Sequence, residues 1–179
     1  MRKLSDIIIE EGTEDLVIDK TRTTIRAIIC KNDKLLMVYS PTFKDYTFPG
    51  GGMKKDEDYI TALKREVKEE IGASEVFNIK PYGYIEEKRY GISNRPTVYL
   101  QTSYYYVVEV SNFGEQDLAD REKEHGVEPV WVSIDEAIHI NQLSISKLNQ
   151  KRGMKTVLPR EIKVLESLKK NKRSIYEKI

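Results

Sequence analysis

The 179-residue sequence predicts an α/β fold, a mixed β-sheet flanked by helices. Three observations carry this. Short β-type runs alternate with helical patterns along the chain. The alternation lacks the regular spacing of βαβ units, which argues against a doubly wound parallel sheet. One segment, 56–71, places apolar residues at helical spacing beside a dense set of glutamates.

The elements follow in order. Residues 25–30 and 34–39 are β-type runs, and Lys31-Asn32-Asp33 between them reads as a hairpin turn. Residues 46–48 form a short strand that enters a loop at Pro49-Gly50-Gly51-Gly52. The helix over 56–71 has Asp56 as its N-cap and Gly72 where a C-terminal glycine belongs. Ile60, Leu63, Val67 and Ile71 form its expected buried stripe. Two long strands are expected over 76–88 and 96–110. In the second, Val98, Leu100, Tyr104, Tyr106, Val108 and Val110 share a face. The polar stretch 111–126 reads as a long loop. A strand at 130–132 leads into Ser133-Ile134-Asp135-Glu136, a capping-box pattern opening a short helix to about residue 140. A last helix over 159–170 turns Ile162, Leu165 and Leu168 inward.

Composition narrows the function classes. Apolar residues make up 39% and charged residues 33%, with a mean hydropathy of −0.55, as in a soluble globular chain. No run approaches the roughly 20 apolar residues of a membrane span, and Ile7-Ile8-Ile9 is too short for a secretory core. Cys30 is alone, which excludes an internal disulfide and a multi-cysteine metal site. It reads as a buried strand residue rather than a nucleophile. His125 and His139 are the two histidines, too few for a His-based zinc site. A reducing compartment follows, and cytoplasm is the simplest expectation. The net charge of +1 hides a split: residues 1–146 carry 19 basic and 26 acidic side chains, whereas 147–179 carry 11 and 3. That tail could meet phosphate or nucleic acid. With Tyr176 as its one aromatic, it reads first as a solvated helix face.

The chemistry concentrates in one place. Glu66 and Glu70 lie one turn apart on the same helix face, with Glu69 on the flank. Like charges at this spacing repel, so a face that gathers them next to the core calls for positive charge. Arg65 can pair with Glu69 but cannot neutralise all three. A divalent cation can, and oxygen-only ligands favour Mg2+ or Mn2+. The glycines Gly50, Gly51 and Gly52 let a ligand approach the backbone and lead into a helix N-terminus, which favours anions. A carboxylate-bound metal beside such a loop is equipment for polarising a phosphate. Composition alone would produce the whole set by chance on the order of 10⁻⁶ to 10⁻⁵ times in a chain this long.

The segment from Gly51 to Ala73 resembles the Nudix box, Gly-x5-Glu-x7-Arg-Glu-U-x-Glu-Glu-x-Gly-U, with U a bulky apolar residue. Gly51, Glu57, Arg65, Glu66, Glu69, Glu70 and Gly72 all match. Ala73 departs by being smaller than the usual aliphatic. The resemblance covers 23 residues. It implies a Nudix-type α/β/α sandwich around the mixed sheet. The chain itself is expected to divide into residues 1–20 as an extra strand or dimer arm, 21–146 as the core and 147–179 as a basic helical segment. The resemblance implies Mg2+- or Mn2+-dependent hydrolysis of a nucleoside diphosphate derivative, such as a nucleoside triphosphate or a dinucleoside polyphosphate. By position, Glu66, Glu69 and Glu70 would be metal ligands and the Gly50 carbonyl a further one. Glu57 would support the loop or an outer metal, and Arg65 would orient the glutamates. The catalytic set would be Glu69, Glu70 and Arg65 with a base that is either a box glutamate or one from a distant loop, where Glu115, Glu122, Glu124 and Glu128 are on offer and Glu128 is preferred. Tyr90 stands near where dinucleoside polyphosphate hydrolases of the family carry a tyrosine. Lys88 stands where ADP-ribose-type members carry proline. Three other roles are weighed: a nucleotide sensor without turnover, a nucleic-acid-binding regulator using the tail, and an RNA 5′-end pyrophosphohydrolase. Isoprenoid diphosphate isomerases share the fold but need a reactive cysteine, and Cys30 alone does not support that.

Overall fold

The computed structural model describes residues 1–92, 97–147 and 154–171. Its strands are β1 (Ile8–Ile9), β2 (Lys20–Lys31), β3 (Lys34–Ser40), β4 (Asp45–Thr47), β5 (Gly50–Gly52), β6 (Ala73–Tyr90), β7 (Val98–Phe113) and β8 (Glu128–Ser133). Its helices are α1 (Tyr59–Ile71), α2 (Asp120–His125), α3 (Ile134–Lys147) and α4 (Val157–Lys170). The strands form one sheet in the order β1-β6-β7-β2-β3-β4, with β5 beside β2 and β8 beside β3. The pairings β2–β7 and β1–β6 are parallel and the others antiparallel, so the sheet is mixed as predicted.

Helices cover both faces. On one, Ala62, Leu63, Val67 and Ile71 of α1 pack on Ile25, Ala27, Leu36, Tyr106 and Val108. On the other, Ala137 of α3 and Val164, Leu165 and Leu168 of α4 pack on Ile28, Met37, Phe48, Ile85 and Tyr105. This is the expected three-layer arrangement. The hairpin at 31–33 is present, with Asn32 and Asp33 both at positive φ, as a tight two-residue turn requires. Cys30 is partly buried, and burial pushes its thiol up to about 12, far from a thiolate at neutral pH.

Several expectations are corrected. Gly50–Gly52 is a strand paired with Thr24–Arg26 of β2. The stretch 111–126 is shorter in irregular structure than its polarity suggests: β7 runs to Phe113, and α2 closes on Gly126 in the left-handed conformation. Helix α3 continues past residue 140 to Lys147. The N-cap of α1 is Asp58, whose carboxylate accepts from the amides of Ile60 and Thr61 at 2.9 and 3.0 Å. Asp56 lies in the preceding turn at φ 63°. Ile60, expected in the buried stripe, is turned outward at 36% exposure, and Ala62, Glu66 and Glu70 join the inner face.

The N-terminal arm lies on its own chain, β1 pairing with Glu87 and Lys88 at the sheet edge. Tyr90 and Lys88 serve that arm: the Tyr90 hydroxyl donates to the Gly12 carbonyl at 2.6 Å, and Lys88 Nζ donates to the Glu14 carbonyl at 2.8 Å. The basic tail is not wholly a solvated face either. Arg160 and Glu161 of α4 are buried at 1% and 0% exposure. Arg160 pairs with Glu87 at 2.8 Å and with Glu161 at 2.6 Å, and the Phe48 amide donates to Glu161. The tail residues 148–153 and 172–179 lie outside the described residues.

Asp45 on β4 carries a burial cost. Desolvation, with Glu161 adding negative charge, raises its carboxyl to about 6 from an ordinary 3.8. The folded chain therefore holds this proton more tightly than the unfolded chain. Stability falls as pH rises from about 4 through 6, and the full penalty stands above that. Asp45→Asn is expected to stabilise by about 1–3 kcal/mol at pH 7.5, with the gain over wild type vanishing below about pH 4. Denaturant melts of both proteins at several pH values check this. A gain independent of pH would refute the assignment.

Candidate active site

Helix α1 delivers the box carboxylates to strand β5. Glu66 and Glu70, each 8% exposed, point beneath the three glycines. Glu70 Oε2 accepts the Gly50 amide at 2.6 Å. Gly50 sits at φ 134°, where a side chain would overlap the Ile25 carbonyl. A Cβ on Gly51 would come within 2.5 Å of Glu66 Oε2. Gly50 therefore admits only glycine, and a side chain at Gly51 would push the Glu66 carboxylate away from the backbone it lies against.

Arg65 organises the rest. Its Nε and Nη2 hold both oxygens of Glu57 at 2.8 and 2.9 Å, and Nη2 also donates to the Gly52 carbonyl at 3.1 Å. Nη1 reaches Glu66 at 2.6 Å and Glu69 at 3.0 Å. Arg65 thus contacts two of the three clustered glutamates, more than i,i+4 spacing alone suggests. Glu57 also accepts the Lys54 amide, pinning the turn before the helix. The Arg65 fork holds the Glu57 carboxyl well below its usual range.

Glu70 is the carboxylate that Arg65 does not touch. Burial pushes it up to about 8; the charges of Glu66 and Glu122 add to this, while Arg26 and the Gly50 amide oppose it. Burial also raises Glu66, against the pull of Arg65. An all-carboxylate donor set with one buried member lacking an arginine partner suits a hard divalent cation. Arg65 draws Glu66 and Glu69 towards itself, and among the described residues no three ligand-type side chains converge on one point.

The base candidates separate. Glu122, on α2, is the outside carboxylate whose charge acts on Glu70. The loop leading to α2 is tied to the end of α1, where Gln116 donates to the Glu70 carbonyl and the Asp117 amide to the Glu69 carbonyl. Glu128 opens β8 opposite Tyr39 with its side chain exposed, and its charge acts on Tyr46 instead. The sequence reading ranked Glu128 over Glu122. It missed Arg22 and Arg26 of β2, which flank the glycine strand.

A family model described as the NUDIX domain matches residues 20–154. The chain belongs to the Nudix family. This Nudix chain is 30% identical over 114 residues to "Nudix hydrolase 13, mitochondrial" of Arabidopsis thaliana, covering 60% of the chain and 52% of that relative. It spans about half the length of that curated relative. Among solved structures, a NUDIX hydrolase from Nitrosomonas europaea matches with a TM-score of 0.53 and 24% identity, over 82% of this chain and 90% of that one. A MutT protein from Bacillus halodurans matches at 0.46 and 19%, over 66% and 72%. The Nitrosomonas structure shares the Nudix fold described above. Among the described residues, no helix is long and apolar enough to cross a membrane.

Proposed function

We propose that this Nudix chain is a pyrophosphohydrolase that cleaves the diphosphate linkage of a nucleoside diphosphate derivative, using Mg2+ or Mn2+. The observation that carries the reading is the burial of Glu66 and Glu70 against the side-chain-free strand Gly50–Gly52. Glu66, Glu69 and Glu70 would hold the metal. When bound, it supplies Lewis-acid polarisation of the phosphate and a more acidic attacking water. Arg65 orients Glu66 and Glu69, and Glu57 fixes Arg65 and the loop. Glu122 would be the outside carboxylate to take a proton from water, ahead of Glu128, because the loop leading to its helix is tied to the end of α1 through Gln116 and Asp117.

The test is a cleavage panel with Mg2+ and with Mn2+. It spans nucleoside triphosphates, oxidised dGTP, dinucleoside polyphosphates, ADP-ribose, a nucleotide sugar and a 5′-triphosphate RNA. Turnover of at least one, abolished by a chelator and restored by metal, is the expected result. Metal binding without cleavage of any member would overturn the reading in favour of a nucleotide-sensing role.

A further inference from the structure

Strand β5 separates two opposite electrostatic environments. Successive residues of a strand face opposite sides. Gly51 faces Glu66. Gly52 faces the other way, and a Cβ there would meet Arg22 Nη2 at 3.1 Å. Arg22 comes from β2, two residues before Thr24, the register partner of Gly52. Carboxylates thus line one face of the bare strand, and a guanidinium lines the other.

Nothing among the described residues compensates Arg22. Among the described residues no carboxylate pairs with it. Its charged neighbours are Arg89, Arg26 and Arg160, and burial and their repulsion disfavour its charged form. Arg26, two steps along the same face beyond Thr24, gives Nη1 to the Phe48 carbonyl, while its Nε is buried with no hydrogen-bond partner. The carboxylates Glu87 and Glu161 are taken by Arg160. An exposed guanidinium beside the bare strand, with like charges around it and no hydrogen-bond partner among the described residues, offers its fork to an anion, and that fork matches phosphate oxygens.

We propose that Arg22, backed by Arg26, grips one phosphate of the substrate on the face of β5 opposite Glu66, so that the diphosphate straddles the strand at Gly51–Gly52. This rests on the pyrophosphohydrolase reading and adds to it the residue that holds the phosphate not served by the glutamates. Arg22 is a binding residue, and its contact forms in the ground state.

The test uses the full chain and Arg22→Met, which keeps the apolar stem, beside Arg22→Lys. Calorimetry with methylenediphosphonate, which cannot be hydrolysed, reads binding without turnover. Arg22→Met is expected to weaken it about 10- to 100-fold, the range of a hydrogen-bonded charge, with partial recovery in Arg22→Lys. In hydrolysis, KM should rise with kcat within about twofold, as for uniform binding. The melting temperature of Arg22→Met should rise, because one of four crowded cations is gone. Unchanged diphosphonate binding, no binding by wild type, or a lowered melting temperature with no recovery by lysine each overturns the proposal. If wild type hydrolyses nothing yet Arg22→Met loses binding, the hydrolase reading fails and the phosphate grip stands. If hydrolysis proceeds with KM unchanged, the grip alone fails.

Discussion

Glu70→Gln is expected to leave the fold intact and to reduce hydrolysis by about 10²- to 10⁴-fold, the scale of losing several kcal/mol of metal-assisted stabilisation. The substitution keeps volume and keeps an oxygen to accept the Gly50 amide, now 2.6 Å from Glu70 Oε2. What it removes is the charge of the one box carboxylate that Arg65 leaves untouched. Burial already disfavours that charge when no cation is present. The metal-free variant should therefore melt at or above the wild-type temperature. Added Mn2+ should raise the wild-type melting temperature and barely move the variant, since binding to the folded state alone is what stabilises it. Steady-state rates with paired melts read both effects. Activity within threefold of wild type would remove Glu70 from the ligand set.

Arg160→Met is expected to destabilise the fold by about 3–5 kcal/mol, the cost of leaving buried charge uncompensated. Arg160 touches Glu87 and Glu161 and lies near Ser103, all fully enclosed. Its removal leaves two buried carboxylates without their cation. Glu87 Oε1 already lacks a hydrogen-bond partner, so the cluster has no slack to rearrange. Urea unfolding at neutral pH measures the loss. Adding Glu87→Gln and Glu161→Gln to Arg160→Met should recover much of it, because the stranded charges go with the arginine. A single-variant loss under about 1 kcal/mol would contradict this account.

The two variants also mark where sequence reading reached and where it stopped. The box was legible because its spacing is local: seven residues between Glu57 and Arg65 bring the two side chains together across the first turns of α1. Gly72 was legible for the same reason, as the left-handed end of a single helix. Arg160 was not. A charged residue in a basic amphipathic segment ordinarily faces water, and the partner that reverses this, Glu87, lies 73 positions away. The strand character of Gly50–Gly52 was hidden likewise, since three glycines signal a loop and only the pairing with Thr24–Arg26 makes them a strand. The surroundings of Glu122 and Glu128 were hidden as well: β8 puts Glu128 in the register opposite Tyr39, while Glu122, whose charge acts on Glu70, lies on the short helix α2.

The family match ends at residue 154, and α4 begins at Val157. Yet α4 supplies Leu158, Val164, Leu165 and Leu168 to the interior, and its Glu161 receives the amide of Phe48, two residues before the glycine strand. A recombinant fragment trimmed to the recognisable signature would keep every box residue and lose both this apolar layer and the carboxylate that holds the Phe48 amide. What identifies this protein by pattern is thus shorter than what lets that pattern take shape, and a boundary chosen by similarity would cut through the hydrophobic interior.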